Sequence, residues 1–269
     1  MATISARLVK ELRDRTGLGM MDCKKALEEV DGDIEQATVT LRKIGALKAA
    51  AKASRTAAEG LLGLRIGDDA RRATMVEINI ETDFAARNAK FGTFLDTVAD
   101  AAFGSACNSV EALMEGELET ERVALVQEIG ENVTVRRVVT FETASGAIHG
   151  YVHTDRRKGA LVELEGGDAE LGRDLAMHVT ASAPAVVTPD QLDAAFVEKE
   201  REILVAQAAS TAKTPEIAEK MVAGRLRKTL AELSLVEQPF VKDTKTKVGK
   251  LLADADARCV RMVRYEVGQ

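Results

Sequence analysis

The sequence has no tryptophan, two tyrosines and seven phenylalanines, so aromatic residues fill only 3% of its 269 positions. With a net charge of −6 as well, the composition disfavours nucleic-acid binding as the main role, because stacking and phosphate neutralisation call for aromatics and excess base. Proline is scarce, at four residues, all after residue 183. At 46% hydrophobic and 30% charged, the chain is neither disordered nor collagen-like. Long hydrophobic runs are missing too. The longest uncharged stretch, Leu175 to Pro189, contains His178, Pro184 and Pro189 and falls short of the ~20 apolar residues a membrane-spanning helix needs. Arg7, Lys10 and Glu11 come before any apolar segment, so no signal peptide and no membrane span are expected, and the expected compartment is the cytoplasm. The three cysteines, Cys23, Cys107 and Cys259, lie far apart without a C-x-x-C pair or a histidine cluster, and read as reduced structural thiols.

Charge is unevenly distributed. Residues 1–55 carry 11 basic and 8 acidic side chains and the remainder 26 and 35, so a +3 segment precedes a −9 bulk. The contrast is sharpest between Arg42 and Arg55, where Lys43, Lys48 and Lys52 stand among alanines without an acid, as in a basic helical linker with a solvated face. Upstream, three short helices are expected. Ile4, Leu8 and Leu12 recur every four residues before Gly17, and Cys23, Ala26, Leu27 and Val30 share a face before Gly32. Asp33 and Gln36 have capping-box spacing ahead of Ile34, Ala37, Thr38 and Leu41, with Gly45 as the expected stop. A bundle this small has a thin core and is better suited to presenting a surface than to housing catalysis.

From residue 60 the period changes to two. Leu62, Leu64 and Ile66 alternate, Gly67-Asp68-Asp69 marks a turn, and Val76, Ile78 and Ile80 alternate again, as in a β-hairpin. A helix follows, on which Phe91, Leu95, Val98 and Ala102 form a stripe. The pattern recurs 86 residues on, pairing Gly60 with Gly146, Asp69 with Asp155, Arg71 with Arg157 and Met75–Ile78 with Leu161–Leu164. Two related hairpin-plus-helix units are therefore expected, separated by helical stretches near 110–114 and 119–130 and a strand at 133–141. This order fits α+β subdomains packed side by side. Thr188-Pro189 and Thr214-Pro215 place proline at the first position of two further helices, roughly 189–209 and 215–236. The short connection Ser210–Lys213 makes them an antiparallel hairpin, with a seam of Leu192, Phe196 and Ile203 against Ile217, Met221, Leu226, Leu230 and Leu233. A short helix with Val248, Leu251 and Leu252 and a strand from Cys259 to Val267 complete the chain.

Catalytic machinery is hard to find. There is no G-x-G-x-x-G, no G-x-x-x-x-G-K-[ST] and no G-x-S-x-G, so no bound nucleotide is expected. His149, His153 and His178 lack cysteine or carboxylate partners at metal-ligand spacing, so neither a metal nor another cofactor is expected, and the chain does not read as an enzyme. A hydrolase using His149 or His178, or an adaptor acting through the basic linker, are the competing classes. One corner stands out, because Glu81-Thr82-Asp83-Phe84-Ala85-Ala86-Arg87-Asn88 spends one of seven phenylalanines at a strand-to-helix junction. Thr82 or Asp83 caps the helix while Phe84 turns inward as a core anchor, or Asp83 and Phe84 point outward as a wedge for a partner.

Val9-Lys-Glu-Leu-Arg-Asp-Arg-Thr-Gly17, Gly19-Met-Met-Asp-Cys-Lys-Lys-Ala-Leu27 and Asp31-Gly-Asp-Ile34 resemble the N-terminal domain of the bacterial elongation factor Ts family. Thr82-Asp83-Phe84 with Asn88 resembles that family's signature, and Gly130-Glu-Asn132, Arg136-Arg137, Met177-His178-Val179, Glu216–Met221 and Gln238-Pro-Phe-Val241 match in family order. The resemblance implies a guanine-nucleotide exchange factor for the GTPase elongation factor Tu. It also implies an α+β fold with a ubiquitin-associated-like three-helix bundle and basic linker at 1–55, core subdomains at 56–143 and 144–269, and a helical hairpin inserted at 188–238. Thr82, Asp83, Phe84, Ala85 and Asn88 would form the wedge that disturbs the GTPase's Mg²⁺ site. Leu12, Gly19, Met20 and Met21 would contact the GTPase's nucleotide domain, and His153 of a Tyr-x-His pattern would approach its phosphate loop. Ala85 stands where the family often has valine, which trims apolar contact. The chain stops soon after Gly268, so the C-terminal helical module of some members is not expected. Some members also pair through the hairpin, so a homodimer stands as an expectation beside the complex with elongation factor Tu.

Overall fold

The computed structural model describes residues 4–209 and 214–269; the expected connection Ser210–Lys213 lies outside them. In chain order the elements are α1 (Ala6–Thr16), α2 (Met20–Glu29), α3 (Ile34–Lys52), β1 (Glu59–Ile66), β2 (Arg72–Ile80), α4 (Asp83–Ala86), α5 (Ala89–Ser105), α6 (Val110–Leu113), α7 (Glu117–Ile129) and β3 (Val133–Glu142). There follow β4 (Ala147–Val152), β5 (Lys158–Glu165), α8 (Ala169–Ser182), α9 (Ala194–Ala209), α10 (Pro215–Leu233), β6 (Pro239–Phe240), β7 (Asp243–Lys247), α11 (Val248–Asp254) and β8 (Arg258–Glu266). Helices mixed with small sheets make this an α+β protein, and no described helix is long and apolar enough to cross a membrane.

The chain divides into two compact units. One comprises the residues up to Arg65, Thr74–Thr140 and Val267–Gln269; the other is Ile66–Ala73 with Phe141–Glu266. In the first, α1, α2 and α3 close over Leu12, Cys23, Ala26, Leu27, Ala37 and Leu41, the stripes read from the sequence. Local chemistry frames each helix. Ser5 and Asp33 accept from the amides of Leu8 and Gln36 at the N-caps, and Gly17, at φ 70°, ends α1 in the left-handed conformation that only glycine adopts cheaply. A larger core joins β2 and β3 to α5 and α7 through Val76, Ile78, Phe91, Leu95, Val126 and Val133. Gly45 does not stop the third helix: α3 runs on to Lys52. Glycine serves close packing there, because a Cβ would overlap the Gln127 side chain of α7.

In the second unit β4, β5 and β8 form an antiparallel sheet, with Ala147 opposite Leu164 and Gly159 opposite Tyr265. α8 buries Leu175, Ala176 and Val179 against it, together with Val248 and Leu252 of α11. The internal repeat has a geometric counterpart. In the first hairpin the Gly67 amide donates to the Arg72 carbonyl (2.9 Å) and in the second the His153 amide donates to the Lys158 carbonyl (2.8 Å), pairs 86 positions apart. Asp69 and Asp155 accept from the amides of Arg71 and Arg157, and Ala70 and Arg156 between them both have left-handed φ, 54° and 57°. Buried Glu77 and Glu163 repeat as well, each taking a 2.6 Å hydrogen bond from an arginine Nε, of Arg137 and Arg261.

Two expectations about the inserted helices need correction. The helix expected from Pro189 is a 3-10 turn over Pro189–Gln191, and α9 begins at Ala194, where Asp193 Oδ1 accepts from the amides of Ala195 and Phe196. α9 and α10 pack through Leu204, Ala208 and Val222, with Ala218 and Leu226 beside them. Phe196, Ile203 and Ile217, expected in the seam, are exposed, and Leu192, Met221, Leu230 and Leu233 are half-buried. Small Ala208 and Ala218 allow the close approach, which sets a helical phase different from the one the largest side chains suggest. The short strands β6 and β7, of two and five residues, are too short to show a period in the sequence.

Candidate partner-binding site

β2 ends at Ile80, and its continuation is built as a corner with a cap on each side. Thr82 Oγ1 accepts from the Ala85 amide (3.2 Å) to start the single turn of α4, and Asn88 Oδ1 accepts from the Lys90 amide (2.9 Å) to start α5. Glu131 clamps the first cap from outside the segment, taking hydrogen bonds from Thr82 N at 2.9 Å and from Thr82 Oγ1 at 2.8 Å. Next to it, Glu81 accepts from the Asn132 amide (2.7 Å) and lies 3.5 Å from the Arg55 guanidinium. With both ends fixed, the single turn has one inward and one outward side. Ala85 and Ala86 occupy the inward side and are buried in the core. Phe84 points away and is 81% exposed, beside Asp83, whose carboxylate pairs with Arg87 at 3.0 Å. Phe84 is therefore no core anchor.

A second exposed apolar patch lies at the start of α2. Gly19 occupies its N-cap, and Met20 and Met21, 57% and 65% exposed, follow. Cys23, Ala26 and Leu27 carry the packing face of α2, which leaves both methionines unburied.

A profile of the family described as Elongation factor TS matches residues 81–269, from the Glu81 corner onward. Three curated proteins named Elongation factor Ts are similar over nearly the whole chain. That of Saccharophagus degradans is 53% identical over 99% of this chain and 92% of its own length. That of Hahella chejuensis is 52% identical over 100% and 93%, and that of Idiomarina loihiensis 52% identical over 99% and 91%. The chain belongs to the elongation factor Ts family. Membership carries the role of a translation elongation factor.

The residues that the elongation factor Ts resemblance singles out have different environments. Thr82, Asp83, Phe84 and Asn88 share one surface corner, whereas Ala85, grouped with them on sequence grounds, faces the core. Leu12 requires a correction, because it is fully buried among Val9, Cys23 and Leu27 and cannot touch a partner directly. Its four-residue spacing from Leu8 marks the interior stripe of α1. His153 sits in the β4–β5 turn of the second unit with its ring exposed and Nδ1 3.1 Å from Asp155 Oδ1.

The other two histidines are structural. His178 is fully buried; its Nδ1 accepts from the Val241 amide (3.1 Å), which leaves Nε2 protonated and 2.9 Å from Gln238 Oε1. His149 packs under α8, where a Cβ on Gly172 would overlap its ring. Burial lowers the pKa of both imidazoles. Sequence reasoning assigned no role to Glu131 and Asn132. The available signal was Gly130, whose φ of 87° ends α7 and swings the next two residues toward the corner.

Proposed function

We propose that this chain is the guanine-nucleotide exchange factor of elongation factor Tu: it binds the GDP-loaded GTPase, disturbs its Mg²⁺ site and promotes GDP release so that GTP can enter. The observation that carries this reading is Phe84, 81% exposed beside Asp83 on a corner capped at both ends. An isolated exposed phenylalanine gains nothing from water, and a preorganised aromatic anchor is what a protein groove takes up at least entropic cost. No covalent chemistry is needed. By linkage, a wedge that fits the GTPase better without GDP lowers the affinity for GDP by the same factor by which GDP lowers the affinity for the wedge.

On this reading Gly19, Met20 and Met21 grip the nucleotide domain from another side, and His153 approaches the phosphate loop. Residues 1–55 act as a ubiquitin-associated-like bundle with its linker, 56–143 and 144–269 as core subdomains, and 188–238 as an antiparallel helical hairpin. Exposed Phe196, Ile203 and Ile217 on α9 and α10 support a surface there that meets either the GTPase or a second copy of the chain. The factor works in the cytoplasm, without a cofactor and without direct contact to nucleic acid or membrane.

The test is release of fluorescent GDP from elongation factor Tu. Wild type is expected to accelerate it, and Asp83→Ala with Phe84→Ala to remove most of the acceleration while the unfolding transition stays in place. Normal exchange by the double variant would sink the wedge; an inert wild type would sink the function.

A further inference from the structure

α3 belongs to two cores. Its first half contributes Ala37 and Leu41 to the N-terminal bundle, and its second half contributes Ala49 to the core of β2, α5 and α7. The handover falls at Gly45, which is buried. The Gln127 carboxamide occupies the space a side chain at Gly45 would need, and its Nε2 donates to the Leu41 carbonyl at 3.3 Å. From that point the chain makes contacts in quick succession. Glu128 forms an ion pair with Lys90 in the first turn of α5, and Glu131 holds both donors of Thr82. Asn132 donates through its amide to Glu81 and through Nδ2 to the carbonyls of Ala53 and Arg55, just past the end of α3. The six residues from Gln127 to Asn132 thus grip the helix that carries the bundle at two places and the Asp83–Phe84 corner at a third.

We propose that this segment is a strut that holds the exposed Met20–Met21 surface and the Asp83–Phe84 corner in one register, with Gly45 and Gln127 as positioning residues for exchange. The proposal rests on the reading of those two surfaces as partner-gripping. Its physical content is preorganisation. Two surfaces on one rigid body engage a partner as a single event, whereas surfaces joined by a loose hinge must be ordered on binding, at a cost in affinity. Gly45 and Gln127 meet each other and the Leu41 carbonyl, away from the corner, so loosening them weakens capture and leaves release from the saturated complex intact.

The variants are Gly45→Leu, whose side chain must expel the Gln127 carboxamide and break its bond to the Leu41 carbonyl; Gln127→Ala, which empties the notch; and the two combined, in which the leucine fills the vacated space. In GDP release titrated with factor, Gly45→Leu is expected to raise the half-saturating concentration about tenfold or more while the maximal rate stays within about twofold of wild type. The combined variant is expected to recover most of that loss. Independently of exchange, spin labels at Lys24→Cys and Thr93→Cys in a Cys107→Ser background read the bundle-to-corner distance. One narrow distribution is expected in the parent, a broadened or displaced one with Gly45→Leu, and recovery with the combined pair. If Gly45→Leu does not fold, Gln127→Ala serves alone and is expected to broaden the distribution. An unchanged distance in both single variants overturns the strut whatever the exchange data show. A fall in maximal rate without a rise in half-saturation overturns its role in capture. A narrow, substitution-sensitive distance in a chain inert toward elongation factor Tu supports the strut and refutes only the exchange reading on which its use depends.

Discussion

Replacing Phe84 with alanine separates function from stability. A buried phenylalanine truncated to alanine typically costs about 3–5 kcal/mol. Phe84 is 81% exposed, so roughly a fifth of its ~200 Å² is covered, about 40 Å². At ~25 cal/mol per Å² the lost burial amounts to about 1 kcal/mol, which in a chain of this size moves the melting temperature by no more than ~4 °C. Phe91, seven residues on and fully buried in the core of the first unit, is the control, and its alanine variant is expected to lose about 3–5 kcal/mol. If Phe84 anchors in a groove of the GTPase, its truncation removes a hot-spot contribution of at least ~2 kcal/mol, or about thirtyfold in exchange efficiency. The assay pairs urea unfolding with fluorescent GDP release on the same preparations. A Phe84→Ala protein as unstable as Phe91→Ala would refute the exposed geometry. One that is stable and exchanges within twofold of wild type would refute the anchor.

Three further outcomes are expected. Glu131→Ala leaves both donors of Thr82 without their carboxylate, a local loss of about 1–2 kcal/mol, and hydrogen exchange at amides 82–88 should accelerate while the rest of α5 stays protected; equal protection would remove Glu131 from the clamp. Burial, aided by nearby Glu163, pushes the Cys259 thiol up to about 12, so a thiol reagent near pH 8 should modify half-buried Cys107 first and reach Cys259 only on unfolding, and fast labelling of Cys259 in the native protein would contradict this packing. Burial also holds the His178 pKa below the unfolded value of about 6.5, so below that pH the unfolded chain binds a proton that the native site refuses. Stability should therefore be complete above about pH 6.5 and fall by at most about 1.4 kcal/mol per pH unit for this residue on the way down, and an unfolding midpoint no lower at pH 5.5 than at 7.5 would exclude the effect.

Much of the architecture was legible because its causes are local. Asp33 and Gln36 sit within one turn, Thr214-Pro215 marks its own helix start, and the stripe Phe91, Leu95, Val98 and Ala102 is a matter of spacing, so these residues meet the environments expected of them. The hairpin repeat was legible for the same reason, since a turn's hydrogen bonds join residues a few positions apart. Facing and phase were less so. Gly45 reads locally as a helix stop, yet α3 continues past it, and the glycine instead leaves room for the Gln127 carboxamide of α7. The α9–α10 seam departs from the expected one because small alanines, rather than the largest side chains, decide where two helices come closest.

What the sequence by itself determined are the helix caps, the periods, the repeated hairpins and, through the matching segments, the family. Tertiary structure alone decided which side of each element meets water: that Leu12 lies inside, that Ala85 turns in while Phe84 turns out, and that Glu131, 49 positions from Thr82, holds the corner. Backbone propensity acts over one turn and is written in neighbouring residues, whereas burial and the clamping of a surface residue depend on groups that only folding brings within 3 Å.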